Sequence, residues 1–261
     1  MTQEPISMGF LMHWIGQWWW PFVRFSAVFW IAPLFNDYTV NTRVRILLAF
    51  FLSLLAMHAV PQMPDFDPFA LDTWFCTFSQ IVFGLLFGLI LQMLFLVLTM
   101  AGNIVSQQMG LSMAMITDPV NGQSEPIIGE LLYFLCALLF FALNGHLVML
   151  DVLAESLRQW PPGHSIYELH LDSVIRVMSW VIASAMLLAL PAIGSMLMVN
   201  LTFGVMNRTA PAFNIFSLGF PMSLMIGLFS FWLSLSAIPA KYLDMTWTVL
   251  SLLRDLSGGS T

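Results

Sequence analysis

From Thr73 to Thr117 the chain carries no Asp, Glu, Lys or Arg. One helix needs about 20 apolar residues to cross a bilayer, so this run is more than twice one span. Its second half, 101–117, is uncharged and yet too polar to prefer lipid, with Asn103, Ser106, Gln107, Gln108 and Ser112 along it. Facing hydrocarbon, those amides and hydroxyls would be unpaired at several kcal/mol each. The segment is therefore expected to pack against protein or to line an aqueous path.

Composition places the rest of the chain in the same class. Apolar residues make up 59% and charged residues 8%, against roughly 45–50% and 25% in soluble domains. Eight basic and fourteen acidic side chains are too few to cover a soluble surface. The chain reads as an integral membrane protein. The net charge of −6 describes loops, and without a basic patch a nucleic-acid partner is excluded. Glu4 precedes the first apolar stretch and the first cation is Arg24, so no cleaved signal peptide is expected. Cys76 and Cys136 lie inside apolar runs and read as small core residues.

Apolar segments fall at about 6–35, 46–60, 74–100, 131–150, 177–206 and 209–240, with a weaker one at 245–256. Their Leu, Met, Phe and Ala content favours helix over the alternating pattern of a barrel strand. The expected fold is all-α: helical hairpins in a membrane, with kinked or broken helices. Six simple spans, with 101–130 as a loop, divide the cations three against four across the bilayer. Counting 101–117 as an extra crossing puts Arg43, Arg45, Arg158, Arg176, Lys241 and Arg254 together, opposite Arg208. The second arrangement satisfies the positive-inside rule.

Gly102, Ser106, Gly110 and Ala114 repeat every fourth residue. On one helix they form a small-residue stripe that lets another backbone approach. Asn103 and Gln107 flank it, and Met109, Met113 and Met115 add side chains that conform to changing shapes. Two readings stand, a packing seam and a pore-lining surface. Gly84 and Gly88 form a second close-packing pair. Arg24, in an apolar stretch beside Trp18, Trp19 and Trp20, needs a partner or a route to the interface. An inter-subunit ion pair and an anchor in the tryptophan belt are the two expectations. Pro191 interrupts an apolar run, Pro211 and Pro221 bracket the next, and Asn207-Arg208 opens a polar turn.

Catalysis finds little support. No Gly-rich phosphate loop, His-Glu-x-x-His or Gly-x-Ser-x-Gly occurs. His164, Glu168, His170 and Asp172 share a polar loop and read as solvated rather than metal-binding. His146 reads as part of a capped turn, and Asp118 and Asp151 as helix-end residues. No cofactor is expected.

An ordered set of short motifs carries a family resemblance. It comprises Pro21-x-x-Arg24, Ala32-Pro33, Arg43-Val-Arg45, Gln107-Gln108-Met109-Gly110 leading to Asp118-Pro119, Asn144-Gly-His146, and Asn207-Arg208-x-Ala-Pro211 leading to Gly219-Phe-Pro221. In order and spacing the set resembles the FliR/SpaR/YscT family of type III secretion export-gate proteins, its flagellar branch more than the injectisome branch. Asn41 and Asn103 depart from it, standing where relatives often have Pro and Glu. The resemblance implies a FliP-like region at 1–175 followed by a FliQ-like helical hairpin at 176–261. It implies a gate shared with FliP and FliQ, with FlhB and FlhA nearby, in the bacterial cytoplasmic membrane within the flagellar basal body. The cargo would be unfolded rod, hook and filament subunits. Residues 107–117 would then contribute to a constriction that seals against ions and yields to a chain of any sequence. A small-solute transporter and a scaffold that touches no substrate are the competing readings.

Overall fold

The computed structural model describes residues 8–35, 40–57, 67, 69–111, 126–163, 171–209 and 215–256, and every regular element among them is helical. In chain order these are α1 (Met8–Ile31), α2 (Thr42–Ala56), α3 (Leu71–Gln108), α4 (Ile127–Ala142), α5 (Gly145–Gln159), α6 (Leu171–Thr209), α7 (Ile215–Leu235) and α8 (Ile238–Leu256).

The largest departure from the sequence reading is α3. It runs 38 residues without a break, so 101–108 continues the preceding span and is not a separate crossing. Nothing between Met100 and Gln108 stops a helix, because Ala101 and a single Gly102 are tolerated in its interior. Gly110, at φ +77°, lies beyond its end, in a backbone region that glycine enters without steric cost. Of the stripe's described residues, Gly102 and Ser106 are helical and Gly110 is not. Ala114, Met113 and Met115 lie outside the described residues.

Among the described residues two helices are long and apolar enough to cross a membrane, Leu71–Gln108 and Val174–Thr209, at mean hydropathies of 2.8 and 2.1. Up to four spans result if α4 with α5, and α7 with α8, each count as one bent span. With α2 at 15 residues and α4 at 16, both fall short of the about 20 a straight span needs. Among the described residues these spans are fewer than the six or seven crossings counted from sequence. Within its most apolar window α3 is 61% buried, against 33% for α6. The first is a core element, while the second leaves Leu190, Leu197, Met198 and Leu201 exposed.

The chain divides into two units. One holds 1–92, 144–175 and 249–261. In it α2 packs on α1, with Trp18 edge-on to Phe50 at 5.3 Å and stacked on Phe22 at 4.9 Å. Asn41 caps α2, its Oδ1 accepting from the Arg43 amide at 3.0 Å, which satisfies one of the helix's orphan donors. The other unit holds 93–143 and 176–248. There Phe95 packs against Tyr133 and Phe140 at 5.6 and 5.8 Å.

Three prolines sit inside helices without breaking them. Pro21, Pro191 and Pro221 lie inside α1, α6 and α7, each removing one backbone donor without terminating its helix. The break between α4 and α5 falls instead at Asn144, which is left-handed at φ 56°. Asn is the non-glycine residue best able to adopt that conformation. His146 is the second residue of α5, and Asp151 sits in that helix's interior rather than at an end.

Candidate functional site

The first site is built around Arg24. The side chain is fully buried, so it neither snorkels to an interface nor reaches another subunit. Its Nε donates to Gln80 Oε1 at 2.8 Å. Nη1 donates to the Ser156 carbonyl at 2.7 Å and to Ser156 Oγ at 3.2 Å, and Nη2 to the Trp160 carbonyl at 2.7 Å. These acceptors are neutral. The guanidinium also lies 5.4 Å from the centre of the Phe83 ring, within cation–π range. Trp160 is edge-on to that ring at 4.5 Å.

The physical logic is that of a helix terminus. Ser156 and Trp160 close the C-terminal end of α5, with Trp160 as its C-cap. The carbonyls at a helix C-terminus carry partial negative charge; that of Ser156 already accepts from the Trp160 N–H at 3.0 Å and has a second lone pair left for the cation. A planar guanidinium reaches both carbonyls and Gln80 with donors held in a fixed fork, where an ammonium is a compact point charge with three. Arg24 thus joins α1, α3 and the end of α5 through one side chain. Gln80, Ser156 and Trp160 were not singled out from sequence. The available signal was Gln80, one of two amides (with Gln92) in the apolar segment 74–100, where an unpaired amide costs several kcal/mol.

Gly84 belongs to the same place. A Cβ there would lie 2.5 Å from the Arg24 carbonyl oxygen and 2.6 Å from Ala27 Cβ; at Gly88 it would lie 2.8 Å from the Val28 carbonyl oxygen. The pair lets α3 approach the backbone of α1, and the approach carries Arg24 to its acceptors.

The second site lies in the other unit, at the end of α3. Gly102 and Ser106 are buried, and a Cβ on Gly102 would lie 2.7 Å from Gly129 Cα and from the Ile128 carbonyl oxygen. Asn103 Oδ1 meets the position a Cβ would take on Gly129. Gly129, which was not singled out from sequence, completes this α3–α4 contact. One turn on, Gln107 and Gln108 are exposed and Met109 is buried. A Cβ on Gly227 of α7 would collide with Met109 Cγ and lie 3.1 Å from its Sδ and Cε. Gly227 is a notch holding the methionine. Gly110 follows with its positive φ, beside the Phe220 ring.

The remaining candidates do not join either site. Asn207 and Arg208 are exposed in the last turn of α6, where a cation complements the helix dipole. Pro221 is exposed on α7, and Pro211 lies outside the described residues. Pro191 lines an apolar cavity in the second unit. His164, Glu168, His170 and Asp118 also lie outside the described residues. Among those described, no group of His, Cys, Asp and Glu is placed to hold a metal.

Residues 15–248 match the family described as bacterial export proteins, family 1. The chain is 32% identical over 247 residues to the flagellar biosynthetic protein FliR of Pectobacterium carotovorum subsp. carotovorum, covering 94% of each chain. It is 30% identical over 249 residues to FliR of Escherichia coli (strain K12), again 94% of each. Against FliR of Bacillus subtilis (strain 168) the identity is 26% over 241 residues, 90% of this chain and 92% of the relative.

Proposed function

The chain belongs to family 1 of the bacterial export proteins, the family of the FliR proteins, and from that premise we propose that it helps form the pore of a flagellar type III export gate. Family membership makes it a membrane component of the flagellar export machinery. The finer reading is that it assembles with FliP and FliQ, with FlhB and FlhA nearby, in the bacterial cytoplasmic membrane. There it would pass unfolded rod, hook and filament proteins, with no catalytic step of its own. A FliP-like part at 1–175 and a FliQ-like hairpin at 176–261 belong to the same proposal.

The observation that carries the gating part is the end of α3. Gln107 and Gln108 are exposed, Met109 is seated on Gly227, and Gly110 turns the chain out of the helix. The helix that ends there is largely buried. Thioether side chains pack against many shapes with little penalty, which suits a constriction that closes on itself and then on a passing chain.

The test is cysteine crosslinking from positions 107–115 to an export substrate arrested in transit. Crosslinks at these positions, absent at exposed α6 residues such as Leu197, are the expected result. Their absence from all of 107–115 would favour a scaffold that shapes its neighbours without touching cargo.

A further inference from the structure

The unit formed by 93–143 and 176–248 contains a cavity of about 330 Å³ that the export reading leaves without a role. We propose that it holds one acyl chain of an anionic membrane phospholipid, with Lys241 at its mouth binding the headgroup. The inference goes beyond the export reading and requires only that the chain sits in a bilayer.

Three observations converge on this occupant. The walls are hydrocarbon: Leu98 and Val105 of α3, Leu188 of α6 and Phe231 of α7 among them. The wall's polar groups are largely occupied. Ser230 Oγ donates to the Pro191 carbonyl at 3.4 Å, and Ser234 Oγ to the Ser230 carbonyl at 3.0 Å. The interior thus suits a ligand segment that needs no hydrogen bonds.

The mouth differs from the interior. The α7–α8 pair bends by 60° at the break after Leu235, and Ala237, Ile238 and Lys241 line the cavity beside that bend. Lys241 and Ala237 are exposed, and Lys241 forms no ion pair among the described residues. A cation at the rim of a hydrocarbon slot matches an amphiphile with an anionic head and an apolar tail.

Size and access both suit a lipid tail. A cavity of about 330 Å³ has room for a single-file polymethylene chain. The surrounding α6 and α7 faces are apolar and outward, with Leu187, Leu190, Phe229 and Trp232 exposed. Where these faces meet bilayer, a tail would reach the opening without crossing water.

The experiment uses the full-length chain in its native assembly, reconstituted in nanodiscs of phosphatidylcholine with and without phosphatidylglycerol. A photoreactive benzoylphenylalanine at Ala237 should yield a phospholipid adduct by mass spectrometry; a crosslink to a neighbouring polypeptide instead would overturn the proposal. Lys241→Gln should lower the preference for phosphatidylglycerol over phosphatidylcholine by about fivefold, the effect of one basic residue at an anionic surface. Unchanged preference would remove the headgroup assignment. Ala237→Trp, at an exposed position on the cavity lining, should abolish retained lipid in native mass spectrometry. Equal retention in wild type and Ala237→Trp would place the lipid elsewhere.

Discussion

Replacing Gly84 by alanine tests how α1 and α3 hold together. Judged by helix propensity alone the change is favourable, because alanine in a helix interior gains about 1 kcal/mol over glycine. The tertiary structure reverses that sign. The new Cβ would sit 2.5 Å from the Arg24 carbonyl oxygen and 2.6 Å from Ala27 Cβ, neither of which is the end of a flexible side chain. Ordinary contact begins near 3.4 Å, so α1 must retreat by about 0.9 Å. A gap of that size forfeits a quarter to a half of each facing atom pair's roughly 0.1–0.2 kcal/mol. Over the interface this amounts to about 1–3 kcal/mol, the usual range for overpacking. The retreat also draws Arg24 away from acceptors now at 2.7–2.8 Å, adding about 1 kcal/mol. The net expectation is a loss of about 1–3 kcal/mol, a fall in Tm of roughly 3–10 °C at about 2–4 °C per kcal/mol. Gly194 provides the control, because a Cβ there meets nothing within 4 Å. Gly194→Ala should leave Tm unchanged or raise it by a few degrees. Thermal unfolding of both variants in detergent decides the matter. If Gly84→Ala tracks Gly194→Ala in sign, the close approach described above is not what joins the two helices.

Three further outcomes follow from the sites. Arg24→Lys keeps the charge and loses the fork, so it should destabilise by about 2–3 kcal/mol, whereas Arg208→Lys on the exposed end of α6 should fall within about 0.5 kcal/mol; denaturation midpoints compare them. Gly227→Ala should unseat Met109 and, under the export reading, raise ion leak through the assembled gate in conductance measurements, with Met109→Ala giving the same direction. Asn41→Ala removes the α2 cap and should cost about 0.5–2 kcal/mol, while Asn41→Ser, which retains a capping oxygen, should recover most of it in the same unfolding assay.

Partner choice at Arg24 shows where sequence reading stopped. A lone cation in an apolar stretch signals a missing partner, and the natural guess is a carboxylate. The structure supplies amide and carbonyl oxygens instead, from residues 56, 132 and 136 positions away. No local pattern encodes that pairing, since a helix terminus acts as a counter-charge only once the tertiary fold places it. A similar limit applied to 101–117, where polarity suggested a separate crossing. Polarity reports on surroundings rather than on where a helix ends. Gly110 ends this one, and on a small-residue stripe it was indistinguishable from Gly102 until its φ was known.

Composition and the charge-free run were by themselves sufficient to determine the class of this protein: helical, membrane-embedded, with glycine pairs marking close approach. Those properties follow from solvation and backbone hydrogen bonding, which depend on residue type and short-range spacing. Tertiary structure alone decided which glycine faces which backbone, that Arg24 closes the end of α5, that Met109 rests on Gly227, and that a slot opens beside Lys241. Each of these depends on residues far apart in the chain meeting within a few ångströms, and pairwise packing at that range leaves no periodic trace along the sequence.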